Sequence, residues 1–193
     1  MISNIALGLA SLYFFGLHKS KNRYWAFFFL AMALAAFVGG IYHGFPELGM
    51  QSRFISWSLL SVALFFAQWA VFSKKINNYL LIFFLLKGII LLSFAITNVD
   101  FLYLIIDSLI SMLGFVILGN LLIIKESYKL INIGIFISII SAIISRMELS
   151  LNPDYLNYND IGHYITIISL LLISQGVSKL EEKSWVDDTI MSS

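Results

Sequence analysis

In this chain of 193 residues, 60% are hydrophobic and only 12% charged, against about a quarter charged in an average soluble domain; the composition is that of a membrane protein. Twelve Lys and Arg against eleven Asp and Glu leave a net charge of +1, so no basic surplus points to nucleic acid. With no cysteine there is no disulfide framework, thiolate nucleophile or Cys-based zinc site, and any metal must rely on carboxylates and three histidines.

A helix that crosses about 30 Å of hydrocarbon needs about 20 mostly apolar residues. Such stretches fall at about 2–17, 24–45, 54–73, 79–97, 101–124, 129–149 and 160–178, which predicts an all-α bundle of seven transmembrane helices. The breaks are short and polar, from His18–Arg23 and Phe45–Glu47 to Asn152–Asp154, and leave no room for a soluble domain. One transmembrane domain over 1–180 is expected, followed by a polar cytoplasmic tail, 181–193. The first stretch lacks a basic start and a small-residue cleavage site and is read as retained.

Cytoplasmic loops keep Lys and Arg. Lys19, Lys21, Arg23, Lys74, Lys75, Lys125, Lys129, Lys179 and Lys183 fall on one side, and Arg53 and Arg146 on the other. This places the N-terminus outside and the C-terminus in the cytoplasm of a multi-pass protein, in the inner membrane if the cell is bacterial.

Ionisable groups inside spans are costly and face the bundle interior or a cavity. Span two ends outside with Gly39-Gly40-Ile41-Tyr42-His43, and its glycines invite the close approach of a helix or ligand. Span seven opens with Asn159-Asp160-Ile161-Gly162-His163, so Asp160 and His163 share a face at a spacing that suits metal ligands. His43 and His163 lie at the same outer depth and converge if spans two and seven are neighbours; His18 lies in a cytoplasmic loop and stays apart. Span five aligns Asp107, Ser111 and Gly114, span six Ser138, Ser141, Ser145 and Glu148, and span three brings in Ser52, Arg53, Ser56 and Trp57. The inner half holds only Gln68, Asn120, Gln175 and Lys87, the last reaching toward Asp107 or snorkelling.

Simpler roles stand beside these. Both histidines suit a membrane interface, Asp160 suits an N-cap of span seven, the serine stripe suits helix packing, and Tyr24, Trp25, Trp57 and Tyr155 suit an aromatic belt.

Seven spans, with Gly-x-x-x-His closing the second and polar-x-x-x-His opening the seventh, resemble the CREST superfamily of membrane hydrolases and receptors, which includes the alkaline ceramidases and the adiponectin and progestin receptors. The Asn-Asp-x-x-His of residues 159–163 is most similar to a bacterial seven-span family related to that group. The resemblance implies a zinc ion between spans two, three and seven, with His43 and His163 as ligands; Asp160, Glu148, Glu47 or Asp107 would have to supply the third, Asp160 either as that ligand or as the acceptor that orients an imidazole, and Asp160, Glu148 or Asp107 would be the catalytic carboxylate. A zinc-activated water would then hydrolyse an amide or ester of a membrane lipid. This chain departs from that pattern: Gly39 replaces the serine, Asn159 replaces a histidine, and no carboxylate closely follows His43. Two readings therefore stand level: a ceramidase-like zinc hydrolase, and a non-catalytic receptor, lipid-binding or accessory protein with a degenerate metal site. A transporter is disfavoured by the apolar inner half, and a retinal protein by the lack of a lysine in the middle of span seven.

Overall fold

A computed structural model describes residues 2–72, 78–123, 128–151 and 156–191, with side chains up to residue 180. Its helices are α1 (Ile2–His18), α2 (Arg23–Gly44), α3 (Gly49–Phe72), α4 (Asn78–Asn98), α5 (Leu102–Leu109), α6 (Leu118–Ile123), α7 (Lys129–Arg146) and α8 (Tyr158–Met191). A π-helical stretch, Ile110–Ile117, joins α5 to α6 in one rod, and a short 3-10 turn, Pro46–Leu48, joins α2 to α3. Six of these rods are long and apolar enough to cross a membrane; α1 is apolar but shorter, at 17 residues.

The helix boundaries follow local chemistry. Asn22 caps α2 by accepting from the Trp25 backbone N–H, which satisfies one of the orphan donors at a helix start. Helix α3 begins at Gly49 rather than near residue 54, so Ser52 and Arg53 are already helical. Asn157, not Asp160, caps α8: its side-chain oxygen accepts from the backbone N–H groups of Asn159 and Asp160 at 3.0 and 3.2 Å. The expected cytoplasmic tail begins without a helix break, because α8 runs on to Met191.

Lipid-facing helices gain little by hiding apolar surface from lipid, so small residues and cross-helix hydrogen bonds decide the packing. Helix α1 packs against both α2 and α8, α2 against α3, and α7 against α8. A methyl group on Gly134 would lie 2.7 Å from the Ser169 carbonyl oxygen, and one on Gly176 would lie 2.6 Å from Ile131; these two glycines let α7 and α8 touch. Ser169 and Ser141 reinforce the seam by donating to the carbonyls of Gly134 and Gly162, each at 2.7 Å. At the Lys19–Arg23 end, Phe14, His18 and Phe28 cluster around Phe29. Trp25 and Trp57, expected in an aromatic belt, are instead buried; Tyr24 stacks on Trp69 with ring centres 4.8 Å apart, and Tyr155 lies outside the described residues.

Helix α4 is the outlier. Only Phe84 and Ala95 are buried on it, and its anchor is ionic: Lys87 pairs with Asp107 of α5 and donates to Ser111 of the π-helical stretch at 2.5 Å. Asp107 also accepts from Ser61 of α3 at 3.4 Å and from Ser111 at 3.2 Å. Removing one partner of a buried pair strands the other charge, at a cost of about 3–5 kcal/mol, whereas replacing both is far milder. Lys87→Met and Asp107→Leu are each expected to lower the unfolding midpoint in mixed micelles sharply, and the double variant to recover most of the loss. A double variant as unstable as the sum of the two singles would show that the groups do not act as a pair.

Candidate functional site

The ends of the helices near His43 surround a cavity of about 540 Å³, within the usual range for small-molecule sites. Helices α1, α2, α3, α5, α7 and α8 contribute to its wall. Its lining is graded: on α3 it passes from Arg53 through Ser56 to Leu60 and Leu64, and on α8 from His163 through Thr166 and Ser169 to Leu170 and Ile173. On α2 it runs from His43 down to Phe28, about 22 Å of helix at 1.5 Å per residue. The polar groups therefore form a mouth at one end of the bundle above an apolar shaft.

His43 and His163 both border this cavity, although they are not joined in the way expected. Helix α1 lies against both α2 and α8 and supplies the connecting groups. Asn4 packs against Gly39 and Gly40, with 3.3 Å from the position of a methyl on either glycine to the nearest Asn4 atom; the two glycines receive a helix, as their spacing suggests. Ser3, only 1% exposed, bridges Asp160 and His163. Its hydroxyl donates to Asp160 Oδ1 at 2.5 Å and lies 2.9 Å from His163 Nδ1. A serine hydroxyl has one proton, so with that proton on Asp160 its oxygen accepts from His163 Nδ1–H. The neutral imidazole then keeps its lone pair on Nε2, a relay of the kind that orients working histidines. Ser3 and Asn4 were missed by sequence reasoning because each looks like an ordinary polar residue near a helix start.

Of the expected carboxylates, Asp160 is held by Ser3, and Glu148 borders the mouth, exposed, just beyond the end of α7 with a left-handed φ of 53°. Asp107 is not in the site: it is fully buried in the pair with Lys87 and does not line the cavity. The serine stripe of α7 has both expected roles, since Ser141 bonds to α8 while Ser138, Ser141 and Ser145 also border the cavity. His18 is not a loop residue but the last residue of α1, fully buried, with Nε2 2.8 Å from Ser174 Oγ.

The residues present do not fit a zinc centre. Among the described residues no group of three or more His, Cys, Asp or Glu side chains is placed to hold a metal ion, so the set expected of His43, His163 and Asp160 is not assembled. One Asp160 oxygen is already engaged by Ser3.

Helices of this length and apolarity around a polar-mouthed cavity define a multi-pass helical membrane protein. The chain belongs to a family of unknown function, DUF6962, whose profile matches residues 1–182. No curated protein and no solved structure matches it.

Ser3→Ala removes the bridge and leaves Asp160 and His163 without it, with an expected loss of about 1–3 kcal/mol. In wild-type protein, ¹⁵N-histidine NMR is expected to find His163 protonated at Nδ1, and in Ser3→Ala to find a mixture of tautomers. An Nε2-protonated ring in the wild type would refute the relay.

Proposed function

We propose that this protein binds a membrane amphiphile in the cavity, with the headgroup at the polar mouth and the chain in the shaft. The observation that carries this reading is the gradient of the lining, repeated on α2, α3 and α8: an amphiphile matches it along its whole length, whereas a water-soluble solute would have to bury its polar groups against Phe28 and Leu64. The resemblance of the His43 and His163 segments to the CREST superfamily supports a lipid as the ligand class.

In this reading α1 also crosses the membrane, as the first of seven spans. The end of the bundle with Lys19, Lys21, Arg23, Lys129 and Lys179 faces the cytoplasm by the positive-inside rule, so the mouth opens toward the outer leaflet. Native mass spectrometry of gently purified protein is expected to find a co-purifying lipid, and Leu60→Trp and Leu64→Trp, which fill the shaft, are each expected to displace it while the protein remains monodisperse. Full lipid occupancy in both filled variants would place the lipid elsewhere and sink the proposal.

A second reading, hydrolysis of the bound lipid's amide or ester, rests on the Asp160–Ser3–His163 relay, which presents Nε2 as a base. Ser3 is buried and does not line the cavity, so in this reading water rather than serine is the nucleophile. Release of fatty acid from ceramide or phospholipid, lost in His163→Gln while lipid binding persists, would favour it. The same turnover in His163→Gln would end it.

A further inference from the structure

The headgroup chemistry can be narrowed further, and this step rests on the amphiphile reading. Arg53 lies half-buried in the cavity wall, one turn into α3. Its guanidinium carbon is 4.5 Å from the centre of the Trp57 ring and 5.7 Å from that of Tyr42. Aromatic contacts of this kind engage the face of a guanidinium and leave its N–H edge to donate.

No carboxylate among the described residues takes that edge, although Asp100 and Glu148 border the same cavity. Asp100 instead accepts from the Leu102 backbone N–H at 2.9 Å, and Glu148 is exposed beyond α7. Asn4, 4% exposed, also borders the cavity, with its amide group against Gly39. Two sets of strong donors, one of them charged, thus border one space at its polar mouth, where the acceptors of one ligand can reach both.

We propose that Arg53 and Asn4 form the headgroup site for an anionic amphiphile, whose phosphate or carboxylate takes the edge of the Arg53 guanidinium and the Asn4 amide. The fork of Arg53 suits a planar or tetrahedral oxyanion bound through two oxygens. The apolar shaft below makes the source a lipid rather than a free anion.

The test uses the full chain in phosphatidylcholine nanodiscs, with radiolabelled hexadecyl phosphate, hexadecanol and unlabelled inorganic phosphate as probes. Hexadecyl phosphate is expected to bind at least about tenfold more tightly than hexadecanol, the scale of charge-assisted hydrogen bonds. Arg53→Gln is expected to bring hexadecyl phosphate down to the level of hexadecanol, and unchanged helical circular dichroism and a monodisperse elution profile show that the variant is folded. Arg53→Lys, which keeps the charge but not the fork, is expected to fall between the two.

Equal binding of the two alkyl probes to wild type, or a preference that survives Arg53→Gln, would overturn the headgroup assignment and leave the amphiphile reading standing. Competition by inorganic phosphate at matched concentration would overturn the lipid source in favour of a free anion. Failure of both alkyl probes to bind would overturn the amphiphile reading itself.

Discussion

The structure depends on how α1 is held. In hydrocarbon an apolar helix gains nothing by leaving lipid for protein, so its position is set by the few groups that lipid cannot satisfy. Helix α1 has such groups at both ends. Ser3 reaches Asp160 and His163, and His18 reaches Ser174, so both ends are tied to α8. Between α1 and α2, Asn4 lies against Gly39 and Gly40, and Gly8 meets the Phe37 ring. Pinned in this way, α1 becomes part of the cavity wall rather than a loose first span, and it sets the orientation of the His163 ring on which any chemistry at the mouth depends.

The polar groups of the bundle sort into two centres with different work. The Lys87–Asp107 pair, with Ser61 and Ser111, ties together α3, α4 and the α5 rod. It is closed: the charges neutralise each other, two hydroxyls bond to them, and Asp107 does not line the cavity. The His43–His163 centre is open, with its donors and acceptors turned toward a space. A closed ionic centre holds helices together, and an open one invites a ligand. Asp107, attractive as a catalytic carboxylate from its place in a span, is therefore spent on structure.

The sequence made the helical architecture legible because length and apolarity act locally: the six long apolar helices could be counted from residues 24–45 through 160–178 without knowing their neighbours. It also placed His43, Asp160 and His163 at one depth, since depth follows from distance along a helix. Contact between helices was not legible. Expecting α2 and α8 to meet overlooked α1, whose Ser3 and Asn4 carry no local pattern to mark them. The cap of α8 was misassigned for a related reason, because Asp160 suits a cap but Asn157 starts the helix and Asp160 is drawn sideways to Ser3. His18 was placed in a loop by its basic neighbours, yet burial against Phe29 and Ser174 keeps it in the helix.

The gradient within the cavity follows from the same economy that positions α1. A polar group deep in a bundle must find a protein partner, while one near the surface can also use water or a headgroup. In the cavity wall, Leu64, Leu170 and Phe28 line the depth, and Arg53 and Asn4 lie toward the mouth. In this wall the spare donors thus lie where an outside molecule can reach them, and the shaft below is mostly apolar, with the Ser169 hydroxyl already given to the Gly134 carbonyl. On the amphiphile reading, a ligand that satisfies both conditions has a polar head and an apolar tail and would arrive from the membrane, because the molecules that already lie at this depth in a bilayer have that form.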